Sequence, residues 1–158
     1  TGFHRHFESP LEIFAYTTAQ ELATRISHLE TGRKAEEPIL NKILALVSRD
    51  ENFHYIFYRS LVKAILEIAP ELMMEPIANQ FYSFGMPGGV LGDFKERSAV
   101  FETEKIFGAA QFRDHVVKPI LAHWKIDQIR GLPPHLEKIQ ERILKLEHVL
   151  TRMIKRSS

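Results

Sequence analysis

The sequence predicts an all-α fold, and three observations carry that expectation. Capping and stopping signals are spaced at helix-length intervals. Apolar residues between them recur at three- and four-residue steps. No stretch shows the strict alternation of a half-buried strand. The chain has 158 residues, 44% of them apolar and 26% charged, which suits one domain with a real core.

Ser9-Pro10-Leu11-Glu12 combines a capping residue, Pro at the first helical position and Glu three residues after the cap. A first helix is therefore predicted from Pro10 to about Glu30, with Gly32 as its stop. A second helix begins at Glu37-Pro38 and extends to Ala69, ahead of Pro70, with no Gly and no further Pro to interrupt it. At about 30 residues it exceeds the usual globular helix and implies a long bundle. A third helix covers roughly 71–84 and is broken by Gly85-Met86-Pro87-Gly88-Gly89. Further helices are predicted over about 94–107 and 110–125. Gly131-Leu132-Pro133-Pro134 then resets the chain before a last helix from His135 to about Lys155.

Composition excludes several classes of function. With 21 Lys+Arg against 20 Asp+Glu, the net charge of +1 does not fit a protein that coats nucleic acid. There is no apolar run long enough to span a membrane. The absence of cysteine excludes disulfides, thiolate metal sites and cysteine nucleophiles, and agrees with a cytoplasmic setting. The chain opens Thr1-Gly2 without an initiator Met, which reads as a piece of a longer protein.

Chemistry gathers on the second helix. Its stripe of Leu40, Leu44, Val47, Glu51, His54, Tyr58, Leu61 and Ile65 reads as a buried seam interrupted by a carboxylate and an imidazole one turn apart. A buried, unpaired carboxylate costs several kcal/mol, so a cation should meet it. A metal ion would satisfy Glu51 and His54 together, as Glu-x-x-His does inside helix bundles; a metal-free Glu–His or Glu–Arg pair is the plainer alternative. The spacing has little specificity, since roughly one such pair arises by chance in a chain of this composition. The first helix adds Glu21, with Thr17, Thr24 and His28 along its side. Its apolar stripe runs through Leu11, Ala15, Thr18, Leu22, Ile26 and Leu29 instead, so periodicity leaves Glu21 a solvated or boundary carboxylate.

Other candidates carry less. His4 and His6 lie in the terminal segment, and His115, His123, His135 and His148 read as structural or exposed. No phosphate-binding loop, nucleophile elbow or His-Glu-x-x-His helix is present. The last helix places Lys138, Arg142, Lys145, Arg152 and Arg156 near one face and Leu136, Ile139, Ile143, Leu146, Leu150 and Met153 on another. That is a solvated outer side supported by a Glu141–Lys145 pair, or a docking strip for an acidic partner.

Several segments in order carry a resemblance. Gln20-Glu21-Leu22-Ala23-Thr24-Arg25-Ile26-Ser27-His28, Asp50-Glu51-Asn52-Phe53-His54, Met86-Pro87-Gly88, Trp124-Lys125-Ile126-Asp127 and Gly131-Leu132 together resemble the C-terminal half of the acyl-acyl carrier protein desaturases. These are ferritin-like di-iron enzymes, and the first run and Ile56-Phe57-Tyr58-Arg59 are most similar to their actinobacterial branch. The resemblance implies that Glu21 is a terminal iron ligand, that Glu51 bridges two irons and that His54 binds one of them. It further implies that Thr24 lies beside the oxygen-binding side of the site and that Asp50 belongs to the electron-transfer network. Ile13, Phe14 and Thr17 would lie near the acyl chain.

The implied activity is introduction of a cis double bond into a saturated chain on acyl carrier protein, with dioxygen and electrons from ferredoxin. Fe2+ is the implied metal, Mn or Zn its substitutes, and a homodimer the implied assembly. Phe53 departs from the basic residue common in plant members, and the span from Glu21 to Glu51 is a few residues shorter than theirs. A complete site needs two Glu helices and two Glu-x-x-His helices, and this sequence supplies one of each. The expectation is accordingly a fragment, a pairing of two half-sites, or a degenerate relative that keeps the fold. A non-catalytic helical protein and another di-iron oxygenase are the competing functions.

Overall fold

The computed structural model describes residues 5–86 and 92–157, and among these every regular element is helical. The elements are α1 (Pro10–Lys34), α2 (Pro38–Ile68), α3 (Met74–Tyr82), α4 (Phe94–Thr103), α5 (Ala109–Gln111), α6 (Lys118–Trp124), α7 (Pro134–Leu144) and α8 (Leu146–Ser157). A π-helical turn, Phe112–Val117, joins α5 to α6 and ends just before Pro119, whose missing N–H could not serve a regular α-helical ladder. No described helix is long and apolar enough to cross a membrane. His4 and the Pro87-Gly88-Gly89 part of the turn lie outside the described residues.

The start of α1 follows its sequence. Pro10 occupies the first turn, and the Ser9 hydroxyl accepts from the Glu12 amide at 3.4 Å. Its end does not. The helix continues through Gly32 to Lys34, and Gly32 is buried against α2. A Cβ there would lie 3.1 Å from Asn41 Oδ1 and 3.3 Å from Leu44 Cβ. Gly32 thus permits close approach of two helices instead of terminating one. Glu37 then caps α2, its carboxylate accepting from the Ile39 and Leu40 amides.

These two helices form an antiparallel hairpin whose register can be followed along its length. Gly32 faces Asn41, and the Ser48 hydroxyl donates to the Arg25 carbonyl at 3.0 Å. Further along, Glu21 meets His54, and the Phe14 and Tyr58 rings lie 6.4 Å apart. The hairpin is covered from one side. Asn79 of α3 donates to Glu12 Oε1, and Tyr16 donates to the Gly85 carbonyl at 3.1 Å. Trp124 of α6 donates through Nε1 to the Arg59 carbonyl at 3.0 Å, with its ring centroid 5.8 Å from that of Phe81. Val62, Met73, Met74, Ile77, Ile120 and Ile126 fill the space between and are fully buried. Each such side chain contributes about 1.5–3 kcal/mol by leaving water.

Two of the resembling segments prove to hold the chain's course. Lys125 adopts a left-handed conformation that ends α6 and sends Ile126 into the core. Gly131 has φ +77°, a conformation open to glycine, and delivers Leu132 to a buried position. The last predicted helix is in fact two, α7 and α8, meeting at Lys145. Ile143 and Leu146 on either side are both buried, and at i and i+3 they keep to the one apolar face expected from sequence. The Glu141–Lys145 pair is present at 3.3 Å, and Arg142 stacks 4.4 Å from the Tyr82 ring.

The expected buried seam on α2 needs correction. The residues of α2 that are buried are Ser48, Tyr55, Val62 and Leu66. Leu44, Val47, Glu51, Tyr58, Leu61 and Ile65 are only half-buried, while Leu40 and His54 are exposed. Beyond them Ile39, Ile43, Leu46, Phe53 and Phe57 form an exposed apolar row at three- and four-residue steps, Phe57 at 62% exposure. At about 100° per residue this row lies roughly a quarter turn round from Glu51 and His54. Apolar residues thus cover more of the α2 circumference than α1 can bury.

Candidate metal centre

The hairpin register brings Glu21, Glu51 and His54 together. One ligand atom from each lies within 4.8 Å of the others, the one such group among the described residues. His54 Nδ1 is 3.4 Å from Glu21 Oε2 and 3.8 Å from Glu51 Oε2. His28 approaches from the next turns of α1, its Nε2 3.9 Å from Glu51 Oε1. Glu21 is largely sheltered, with its side chain 13% exposed, whereas the His54 side chain is 61% exposed. The four groups therefore sit at the edge of the covered face, beside the apolar row.

The electrostatics leave this cluster unfinished. Glu21 Oε2 is buried and makes no hydrogen bond to a described residue. Neither Glu21 nor Glu51 pairs with a Lys or Arg among the described residues; their ionic neighbours are the two imidazoles. Burial, followed by the adjacent Glu51 carboxylate, pushes Glu21 up to about 7, with His54 acting in the opposite direction. An orphaned carboxylate oxygen between a second carboxylate and an imidazole fits a divalent cation. Oxygen and nitrogen donors of this kind suit iron, manganese or zinc. Ligand atoms of one such ion lie about 3–3.5 Å apart, so the observed spacing needs only small side-chain movements.

The remaining residues singled out from sequence fall elsewhere. Thr24 is one turn beyond Glu21 and half-buried, and its hydroxyl donates to the Gln20 carbonyl at 2.8 Å. Asp50 is not gathered into the cluster. It lies in the exposed row, with its carboxylate 3.9 Å from Arg49 Nε. His115, His135 and His148 are exposed, and His123 is half-buried, its pKa lowered by burial and by the charges of Arg59 and Lys63. The contact that sequence reasoning left without a role is His28. Its position two turns after Glu21 places it on the same side of α1, a signal available in the spacing alone.

Comparison with known proteins agrees with this geometry. DesA1 of Mycobacterium tuberculosis, described as an acyl-[acyl-carrier-protein] desaturase, is 34% identical over 123 residues, covering 78% of this chain and 36% of its own length. A stearoyl-[acyl-carrier-protein] 9-desaturase of Ricinus communis is 29% identical over 159 residues, 94% of this chain and 40% of the relative. An acyl-[acyl-carrier-protein] 6-desaturase of Thunbergia alata is 30% identical over 143 residues, 84% of this chain and 37% of the relative. The chain thus spans about two-fifths of the length of the curated relatives it matches. The family model described as fatty acid desaturase matches residues 1–158. With its all-α architecture and its carboxylate–imidazole cluster, the chain belongs to the fatty acid desaturase family.

Proposed function

We propose that this chain forms the metal-binding half of an acyl-[acyl-carrier-protein] desaturase bundle, acting in fatty acid biosynthesis in the cytoplasm. The observation that carries the reading is the buried, unsatisfied Glu21 Oε2 set among Glu51 and His54 in a member of this family. Glu21, Glu51 and His54 would hold iron, Glu51 lying between Glu21 and His28 in a position suited to a shared ligand. A di-iron centre, when bound, supplies the oxidising power that removes two hydrogens from an unactivated saturated chain, with dioxygen and electrons from ferredoxin.

The chain's own residues do the positioning. The half-buried Glu21 keeps its carboxylate out of bulk water, so its charge is neutralised by a proton or a metal. Thr24, held to Gln20, sets a hydroxyl one turn from that carboxylate, on the side where oxygen would arrive. Asp50, adjacent to Glu51 and solvent-facing, offers the route by which electrons reach the ligands from outside. Ile13, Phe14 and Thr17 continue the Glu21 side of α1 toward its N-terminus and would line the acyl chain. The relatives' names support an acyl group on acyl carrier protein as the substrate, an acidic partner for which Lys138, Lys145, Arg152 and Arg156 offer an exposed basic strip. The apolar row on α2 is where the remaining bundle helices, or the second subunit of a dimer, would pack.

The test is iron content per chain and its response to substitution. Wild type should bind iron or its Co2+ surrogate, and Glu51→Ala and His54→Ala should each weaken binding by about a hundredfold. Equal metal content in wild type and both variants would overturn the reading. Gas chromatography of acyl chains after incubation with acyl carrier protein substrates, ferredoxin and reductant then distinguishes a desaturated from a hydroxylated product. Among the described residues the chain supplies one Glu and one Glu-x-x-His, so robust turnover is expected only once a complementary half is added. Charge reversal at Arg142 and Lys145 should weaken carrier-protein binding several-fold at low salt; unchanged affinity would remove that surface from the interface.

A further inference from the structure

We infer that a cleft roughly a quarter turn round α1 from Glu21 binds an organic anion with an apolar tail, a medium-chain carboxylate. The cleft is half open to solvent and offers about 710 Å³ between α1, the middle of α2 and the segment from Lys105 to Pro119. That volume is within the range of small-molecule sites. None of Glu21, Glu51 and His54 lines it, so the inference stands independently of the proposed metal centre.

Two kinds of wall meet there. Leu22, Ile26 and Leu29 give an apolar strip along α1, opposed by Pro119. From Leu22 to Leu29 the helix rises about 10 Å, the length of an extended chain of roughly eight carbons. Tyr55 of α2, only 6% exposed, also lines the cleft. The Arg59 guanidinium lies 5.0 Å from its ring centroid and fixes the ring, yet the Tyr55 hydroxyl makes no hydrogen bond to another described residue. A nearly buried hydroxyl opening into a cleft without a protein partner points to a ligand acceptor.

The charges around the cleft favour an anion. Arg25, half-buried between Leu22 and Leu29, has no carboxylate within ion-pair distance among the described residues. Lys105 stands at the rim on a left-handed turn of φ +56°, steadied where Gln111 Nε2 donates to its carbonyl at 3.2 Å. The acids of the same lining are already matched. Glu30 lies 2.6 Å from Arg33, and Asp114 lies 2.6 Å from Arg113 and 2.7 Å from Lys118. The unmatched charge is therefore positive. A guanidinium and a phenol donate to the oxygens of a planar carboxylate, and the α1 strip covers its tail.

Isothermal titration of the full chain with sodium decanoate tests this, with decanol and inorganic phosphate as controls. One saturable decanoate site per chain is expected, with decanol at least about tenfold weaker and no measurable phosphate binding. Arg25→Gln should weaken decanoate binding roughly ten- to a hundredfold, and Tyr55→Phe, which keeps the ring, roughly three- to tenfold. Glu51→Ala should bind decanoate as wild type does. No saturable binding, decanol binding as tightly as decanoate, or wild-type affinity in Arg25→Gln would each overturn the assignment. Loss of binding in Glu51→Ala would do so as well, by placing the anion on the metal side.

Discussion

The two sides of α1 handle buried charge in opposite ways. On the covered side, acids have partners built into the fold. Asp114 is held between Arg113 and Lys118, Glu30 meets Arg33, and Glu12 accepts from Asn79. On the side that α1 and α2 leave open, the ionic partners of Glu21 and Glu51 among the described residues are imidazoles alone, and Glu21 keeps one buried oxygen without a hydrogen bond to any of those residues. Pairing holds Asp114 well below the usual carboxylate range, while burial and the Glu51 charge drive Glu21 to about 7. A fold that pairs its acids on one face and leaves them open on the other marks the second as the face for an external cation. The apolar row of α2 beside it shows the same incompleteness in hydrophobic terms.

The largest test of this contrast compares two aromatic truncations. Trp124 is 3% exposed, hydrogen-bonded to the Arg59 carbonyl and packed on Phe81. Trp124→Ala should cost about 3–5 kcal/mol in urea unfolding. Phe57 is of similar bulk but 62% exposed, so Phe57→Ala should stay within about 0.5 kcal/mol. A Phe57→Ala loss comparable to that of Trp124→Ala would mean that the open face is covered in solution, and the contrast would fail.

A second test acts on the unsettled carboxylate. Glu21 has its folded pKa raised from 4.5 to about 7, so the folded state holds this proton more tightly than the unfolded chain does. Raising the pH from 4.5 to 7 should therefore progressively destabilise the metal-free protein, and the loss should level off above that window. Glu21→Gln keeps the shape and removes the charge. It should stabilise the metal-free protein at pH 8 by on the order of 1–2 kcal/mol and flatten that slope. If Glu21→Gln is instead less stable at pH 8, the carboxylate already has a partner and the open-face argument falls.

Sequence and structure agree best where a signal is local. Ser9-Pro10 starts α1 and Glu37-Pro38 starts α2 because caps and proline act within one turn. Gly32 misleads because its role is tertiary, making room for Asn41 and Leu44. The break at Lys145 has no Gly or Pro to announce it, and Ile143 and Leu146 stay on one buried face across it. For the site, spacing alone places Glu51 and His54 on one face. Glu21 came from the resemblance, since the α1 apolar stripe runs elsewhere, and the hairpin register supplies its physical reason. The α2 stripe is less buried than its periodicity predicts, because periodicity shows an apolar face without showing which part of it another helix covers.

The smallest expected effect lies on the settled side and has the opposite pH sign. The Asp114 pKa is lowered first by its hydrogen bonds from Arg113 and Lys118. Its folded value thus lies below the unfolded one, and the stabilisation it gives is present above pH 3.8 and lost as acid carries the carboxylate down through its folded pKa. With about a third of the side chain exposed, solvent screens the pairs, so Asp114→Asn should cost under about 1 kcal/mol at pH 7. The informative comparison is the shape of the two curves. Removing Asp114 should weaken the acid limb of the stability profile and leave the slope from pH 4.5 to 7 intact, whereas Glu21→Gln should do the reverse. A shared response would show that the two faces titrate as one system, because a charge settled on one side of α1 would then depend on the charge left open on the other.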